Sequence, residues 1–162
     1  MMETGDLRDV ELRPYTSGDV DTLASVYRDA VRRIGPGFYS PEEVAVWALY
    51  PEDMSEFQAR LSRGHTWILQ VKGWPEAFGQ LDPVDHVSFL YCSGAFNRRG
   101  LGSRVYRQLE GIARERGVST LTTDASRISC PFFEKQGFVV REREYVPRHG
   151  VVFERFKMQK LL

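Results

Sequence analysis

The amino-acid sequence predicts an α+β (α/β) fold that combines about seven strands with about four helices. Two observations lead to this prediction: strand and helix patterns follow the order β-α-α-β-β-β-α-β-α-β-β, and two pairs of strands are separated only by a turn. The 162 residues contain no internal repeat, low-complexity tract or linker. We therefore expect a single domain over residues 1–162.

The first half of the chain opens with a short strand over residues 10–13 and then becomes helical. Apolar side chains recur every three or four residues over 20–34, which predicts an amphipathic helix. Ser40-Pro41-Glu42-Glu43 supplies an N-cap, a proline at the first helical position and a capping-box glutamate, so a second helix should run through Trp47. The apolar spacing over 54–61 predicts another short helix.

Strand patterns dominate the middle and the end of the chain. The two hairpins are predicted at 66–71 with 77–81, and at 138–145 with 151–158. Between them we expect a strand over 87–92, a helix from Leu101 that stops at Gly117, a strand over 118–123 and a short helix around Phe132 that ends at Gly137. Ser126 or Ser129 is the expected cap of the short helix.

Charge and composition exclude several classes of protein. The 22 Lys and Arg residues balance the 22 Asp and Glu residues, which argues against a nucleic-acid binder or a protein held on anionic membranes. No apolar run approaches the ~20 residues needed to cross a bilayer, and residues 1–9 are too acidic and polar for a signal peptide. We therefore expect a cytoplasmic protein. Cys92 and Cys130 have no metal-ligand spacing, so we expect reduced thiols and no metal.

The strand over 87–92 runs into a basic, glycine-bearing turn, Asn97-Arg98-Arg99-Gly100-Leu101-Gly102, which opens a helix. Such a turn offers backbone N–H groups that no helical carbonyl has claimed, and the helix dipole and two arginines add positive charge. This combination suits a pyrophosphate. The turn lacks the lysine of a P-loop and the third glycine of a dinucleotide fingerprint, so neither of those phosphate sites is predicted.

The same turn resembles motif A of the GNAT superfamily of acyl-CoA-dependent N-acetyltransferases, Gln/Arg-x-x-Gly-x-Gly/Ala, with Asn97 at the first position. Pro131-Phe132-Phe133-Glu134-Lys135-Gln136-Gly137-Phe138 is similar to motif B of that superfamily. The order of elements also matches, so the resemblance covers nearly the whole chain and implies a GNAT fold with a central mixed, mostly antiparallel sheet. Residues 38–47, the segment Asp124-Ala125-Ser126 and the tail over 148–160 further resemble a bacterial branch whose substrates are mostly unassigned.

This resemblance implies acetyl-CoA as the co-substrate. In GNAT enzymes the strand before the turn splays from its neighbour and exposes main-chain groups to the pantetheine arm and the acetyl oxygen. The matching positions are Leu90, Tyr91 and Cys92 for that contact, and Arg98, Arg99, Gly100, Leu101, Gly102 and Ser103 for the pyrophosphate. Ser126 stands where many relatives have an asparagine that touches the pantetheine arm, although its hydroxyl can also cap the following helix.

The resemblance does not identify the residue that protonates the departing thiolate. Many relatives use a tyrosine of motif B, and Phe133 stands at that position. Cys130, one helical turn earlier, and Tyr145, in the closing hairpin, are the leading candidate acids, and Tyr39 in the first loop is a further alternative. Solvent is the alternative donor.

The candidate base and the residues that would contact the amine substrate are predicted from the sequence pattern, without the resemblance. His86 and Ser88 should alternate onto the same strand face as Leu90, and a histidine near pH 7 can accept a proton, so His86 is the candidate base. A water relay needs no dedicated base. Tyr39 and Trp47 are the candidate substrate contacts, with a place in the core as the alternative for both.

The predicted function is transfer of an acetyl group from acetyl-CoA directly to a primary amine of a small molecule or peptide. The alternative is a non-catalytic acyl-CoA-binding sensor or scaffold, which the departures at Asn97 and Phe133 favour. The expected partner is thus the amine, without nucleic acid or membrane, and a homodimer is left open.

Overall fold

The structure, a computed structural model, describes residues 9–162, so the segment compared above with a signal peptide lies, except for Asp9, outside the described residues. The strands are β1 (Val10–Pro14), β2 (His65–Val71), β3 (Trp74–Leu81), β4 (His86–Cys92), β5 (Thr120–Ala125), β6 (Val139–Arg148) and β7 (Val151–Leu161). The α-helices are α1 (Val20–Ile34), α2 (Pro41–Trp47), α3 (Met54–Leu61), α4 (Leu101–Glu115) and α5 (Cys130–Lys135).

All seven strands form one sheet in the order β1-β2-β3-β4-β5-β7-β6. Only β4 and β5 pair in parallel, and the other neighbours are antiparallel. The expected mixed, mostly antiparallel sheet of seven strands is therefore confirmed. The described residues contain five α-helices, at the five places where the sequence patterns predict helices and one more than the overall estimate of about four.

Helices cover both faces of the sheet. On one face α4 and α5 bury Val105, Leu109 and Phe133 against the sheet. Gly79 on β3 lets α4 come close, because a Cβ there would lie 2.8 Å from Val105 Cγ1. On the other face α1 and α3 bury a second core that includes Phe57. Within residues 9–162 no helix combines the length and the apolar character needed to cross a membrane.

Local sequence chemistry explains where the elements begin and end. Ser40 caps α2 in a complete capping box with Glu43, as expected. Both hairpins close through two-residue left-handed turns whose second residues are Gly73 and Gly150, with φ of 79° and 77°.

Strand β5 lies two residues later than the sequence indicated, over 120–125 instead of 118–123. The reason is the C-terminus of α4, where Gly117 has φ 77°. The Val118 N–H donates to the carbonyl of Ala113 at 3.0 Å and the Gly117 N–H to that of Arg114 at 3.1 Å. These two hydrogen bonds form a Schellman motif, which keeps Val118 in the helix terminus.

Candidate active site

Strands β4 and β5 pair over only two positions and then separate. His86 pairs with Thr122 and Val87 with Thr123. Beyond them β4 stays paired with β3 as far as Cys92, and β5 stays paired with β7 as far as Ala125. Main-chain groups of the two strands therefore face a wedge between them, which we call the β4–β5 opening. The splay implied for this strand is thus present.

A β-bulge lies where the strands begin to separate. Val87 is opposite Leu81, and Phe89 is opposite Gln80, so Ser88 is the extra residue. The bulge resets the alternation of side chains: Val87 and Leu90 both pack toward α4, whereas the Ser88 hydroxyl donates to Gln80 Oε1 at 2.7 Å on the opposite face.

The expectation that His86 and Ser88 share a face with Leu90 is therefore wrong. His86 lies with Ser88 on the face opposite α4, because one extra residue separates Val87 from Phe89. Strict alternation along a strand assumes a regular register, which the bulge removes.

The side chains at the end of β4 are occupied by packing. Tyr91 stacks on Phe78 with ring centroids 5.8 Å apart, and its ring lies 4.4 Å from that of Tyr27. Leu90 and Cys92 pack against the α4 core, and burial raises the pKa of the Cys92 thiol to about 12. What these residues offer to a ligand is thus their main chain.

The turn from Arg98 to Ser103, which we call the cradle, follows β4 after a short 3-10 turn over Gly94–Phe96. Gly100 is the N-cap of α4 with φ 82°, and Arg98 also has a positive φ of 62°. A Cβ at Gly100 or Gly102 would meet no atom within 4 Å, so the backbone is open to a close approach.

The chemistry of the cradle fits the pyrophosphate of acetyl-CoA. The first N–H groups of α4, from Leu101 to Ser103, have no acceptor within the helix and carry the positive end of its dipole. Arg98 and Arg99 form no ion pair with a carboxylate of residues 9–162, so their charges face solvent or ligand.

Ser126 has local partners. Its hydroxyl accepts a hydrogen bond from the Ser129 N–H at 3.2 Å, and the Ser129 hydroxyl accepts one from the Ser126 N–H at 3.0 Å. Both serines that the sequence offered as caps therefore act together in the turn before α5. This geometry supports the cap, and the contact with pantetheine stays a prediction.

The two candidate acids differ in their surroundings. Cys130 is buried at the start of α5, where burial and the neighbouring Glu134 raise the pKa of its thiol to about 11. Its thiol donates to Glu134 Oε1 at 3.5 Å, so its proton is directed to that carboxylate. Tyr145 is 61% exposed on the edge strand β6, three strand positions from β4. The structure does not bring Tyr145 to the opening.

Tyr39 and Trp47 have intramolecular partners. The buried Tyr39 hydroxyl accepts a hydrogen bond of 3.0 Å from the Arg127 N–H, and the Trp47 Nε1–H donates to the Tyr27 hydroxyl at 2.8 Å. Their rings meet edge to face at 5.1 Å. These contacts support a place in the packing between α1, α2 and the β5–α5 loop, and substrate contact stays a prediction.

His86 lies at the closed end of the opening, where β4 and β5 are still paired. Its Nδ1 lies 2.8 Å from Thr122 Oγ1, and its Nε2 lies 3.7 Å from Asp124 Oδ2. Burial lowers the pKa of His86 from its usual 6.5, although Asp124 and Asp85 act in the opposite direction. The imidazole is therefore neutral at pH 7 and able to accept a proton.

His86 also lines a pocket of about 260 Å³ that the sequence did not reveal. Its lining residues are His86, Thr122, Thr123, Asp124, Arg141, Lys157, Met158 and Gln159. They come from β4, β5, β6 and β7, and only the strand pairing brings them together. Among residues 9–162 no group of three His, Cys, Asp or Glu side chains is placed to hold a metal ion.

Comparison with known proteins identifies the family of this chain. A family model described as an acetyltransferase (GNAT) domain matches residues 37–162. The uncharacterized N-acetyltransferase YafP of Escherichia coli (strain K12) is 29% identical over 154 residues, which cover 94% of this chain and 97% of that protein. A crystal structure of a GCN5-related N-acetyltransferase from Rhodopseudomonas palustris, described as "Aminotransferase, Class-II", is 32% identical with a TM-score of 0.91 and covers 97% of this chain and 98% of that one.

A more distant structure supports the same fold. The PaiA N-acetyltransferase from Thermoplasma acidophilum, solved with coenzyme A, has a TM-score of 0.78 at 17% identity, with 95% of this chain and 99% of that chain covered. The family match covers most of the chain and includes the opening, the cradle and the pocket. The chain therefore belongs to the GNAT family of acetyltransferases, with acetyl-CoA as its co-substrate.

Proposed function

We propose that the protein transfers the acetyl group of acetyl-CoA directly to a primary amine of a small molecule or peptide, within the β4–β5 opening. One observation carries this proposal: the opening offers unpaired main-chain groups, and a short 3-10 turn over Gly94–Phe96 joins β4 to the cradle at the start of α4. A long molecule with a pyrophosphate at one end and a thioester at the other fits this arrangement.

The reaction moves one acyl group and one proton. The amine nitrogen attacks the thioester carbonyl, the carbon–sulfur bond breaks, the nitrogen loses a proton, and the departing thiolate gains one. The main chain of Leu90–Cys92 is the proposed donor to the carbonyl oxygen, whose negative charge grows in the transition state.

The two cysteines support direct transfer over an acyl-enzyme intermediate. Burial raises the pKa of Cys92 to about 12 and that of Cys130 to about 11. A thiol attacks as its thiolate, and at neutral pH almost none is present at either residue. The amine is thus the only nucleophile that the proposal needs.

His86 is the proposed base and solvent the proposed acid. The imidazole is neutral at pH 7 and lies at the closed end of the opening, with its Nε2 3.7 Å from Asp124 Oδ2. The Cys130 thiol donates to Glu134 Oε1 and Tyr145 lies too far from the opening, so neither replaces the missing tyrosine at Phe133.

The experiment measures release of the coenzyme A thiol from acetyl-CoA, first alone and then with a panel of small amines and peptide N-termini. We expect slow release alone, acceleration by at least one amine, and an equal amount of N-acetylated product by mass spectrometry. His86→Gln should lower the amine-dependent rate and leave the affinity for acetyl-CoA unchanged. Thiol release that no amine accelerates would contradict the proposal and favour a sensor.

A further inference from the structure

The pocket beside the opening lies on the sheet face opposite α4. Two rows of side chains cross the strands there: His86, Thr122 and Gln159 in one row, and Asp124 with Lys157 in the next. Helices α1 and α3 pack over the β1–β4 side of this face, and the pocket residues of β5, β6 and β7 are mostly half-buried or exposed. We call this group, together with Arg141, the polar pocket.

One end of the polar pocket presents two hydrogen-bond acceptors. The Thr122 hydroxyl donates its proton to the Asp85 carbonyl at 3.2 Å, so it accepts from His86 Nδ1–H at 2.8 Å. His86 Nε2 is then the unprotonated nitrogen, and it lies 3.7 Å from Asp124 Oδ2. Since His86 Nε2 and Asp124 Oδ2 are both acceptors, they cannot form a hydrogen bond with each other. A ligand nitrogen about 2.9 Å from both atoms can donate a hydrogen bond to each of them.

The other end presents positive charge. With its oxygen turned toward Arg141, the Gln159 amide accepts hydrogen bonds of 2.8 Å from both Nε and Nη2 and so orients the guanidinium. Arg141 forms no ion pair within residues 9–162, and its remaining N–H groups are free to bind. Lys157 lies loosely between Asp124 at 3.9 Å and Glu144 at 3.8 Å, where Arg155 also pairs with Glu144.

The charges in the polar pocket do not suit a simple amine. Lys157 and Arg155 are balanced by Asp124 and Glu144, so Arg141 is the cation without a carboxylate partner among the described residues, and His86 is neutral. A ligand with only an ammonium group would meet a surplus of positive charge. A ligand that adds a carboxylate or phosphate would balance it, and a guanidinium binds either group through two parallel hydrogen bonds.

We infer that the acceptor is a primary amine that also carries an anionic group, with its nitrogen held between His86 and Asp124 and its anion held by Arg141 and Lys157. This inference rests on the proposed function, because it takes the β4–β5 opening as the place of acetyl transfer. The pocket of about 260 Å³ holds a small molecule of this kind.

The arrangement also accounts for the proton. The bound ammonium donates one N–H to Asp124 and gives one proton to His86 Nε2, which frees the lone pair for attack on the thioester carbon. The second proton lost by nitrogen after attack leaves through solvent, as does the proton on the imidazolium. Asp124 acts here as a positioning residue, because it orients the ammonium and does not itself take the proton.

The test compares acceptors in pairs that differ only in the anionic group. Amino acids are measured against their amides, and phosphoethanolamine against ethanolamine, which separates a carboxylate from a phosphate. We expect kcat/KM to be at least about tenfold higher for the anionic member of one pair. Equal rates within every pair would overturn the inference.

Three variants test which residues cause the preference for an anionic acceptor. Arg141→Gln should remove most of it by raising the KM for the anionic acceptor about tenfold, with the KM for acetyl-CoA unchanged. Arg32→Gln, an exposed arginine on α1, is the control of equal charge change and should keep the preference. Asp124→Asn should raise the KM for both members of each pair and leave the ratio between them intact. Retention of the full preference in Arg141→Gln would overturn the assignment.

The same assay separates this inference from the proposed function. Amine-dependent turnover without any preference for anionic acceptors refutes only the polar pocket. Tight binding of acetyl-CoA without turnover of any amine refutes the proposed function, and the inference with it.

Discussion

Replacing Gly100 with valine should weaken the binding of acetyl-CoA and strain the cradle at the same time. Gly100 has φ 82°, a left-handed conformation that costs an L-residue about 1–2 kcal/mol. No atom lies within 4 Å of the position that its Cβ would take, so the new side chain projects into the space proposed for the pyrophosphate. We expect the dissociation constant for acetyl-CoA to rise at least tenfold, which corresponds to about 1.4 kcal/mol.

Isothermal titration calorimetry measures that constant, and two further variants separate obstruction from strain. Gly100→Asn places a Cβ at the same point but tolerates a positive φ, so it should lose affinity with a smaller loss of stability. Gly111→Ala, inside α4 with no atom within 4 Å of its Cβ, is the matched control. It should gain about 0.5–1 kcal/mol of stability and bind acetyl-CoA normally. Wild-type affinity in Gly100→Val would refute the role of the cradle.

Three further predictions concern stability. Ser126→Ala removes the acceptor of the Ser129 N–H, so thermal unfolding should show a loss of about 1 kcal/mol in stability with an unchanged KM for acetyl-CoA. A raised KM without a loss of stability would instead assign Ser126 to the binding of acetyl-CoA. The hydrogen-bonded Arg13 lowers the pKa of Asp19 from 3.8 to about 2. Asp19→Asn should therefore lower the free energy of unfolding by about 2 kcal/mol at pH 7, and this loss should disappear as the pH falls through 2. An equal loss at pH 7 and below pH 2 would exclude the ion pair as its cause. Because the pKa of His86 is lowered in the folded protein, the unfolded chain binds a proton at this histidine first as the pH falls. The wild-type protein should therefore lose stability below about pH 6.5. Denaturant titrations should find that the free energy of unfolding of His86→Gln depends less on pH in this range.

The elements of the fold could be predicted because their determinants are local. Helical periodicity defined α1 and α3, a capping box defined α2, and the glycine turns defined both hairpins. Motif A could be read because the strand, the turn and the helix are contiguous in sequence. Even the error in β5 was local, since Val118 belongs to the terminus of α4 through a hydrogen bond to Ala113.

The candidate site depended on non-local pairing and was predicted less well. The bulge at Ser88 is visible only against the register of β3, and it moves His86 away from the face of Leu90. The polar pocket joins Asp124 to Arg141 and Lys157 across β5, β6 and β7, which no spacing in the sequence indicates. The raised pKa of the Cys130 thiol follows mainly from burial, which a sequence alone does not measure.

A crystal structure of the protein with acetyl-CoA tests the central claim most directly. We predict that the pyrophosphate accepts hydrogen bonds from the N–H groups of Leu101–Ser103, and that the thioester lies between β4 and β5 at the end nearest His86 and Asp124. An ordered acetyl-CoA molecule bound elsewhere, with the β4–β5 opening empty, would contradict the account.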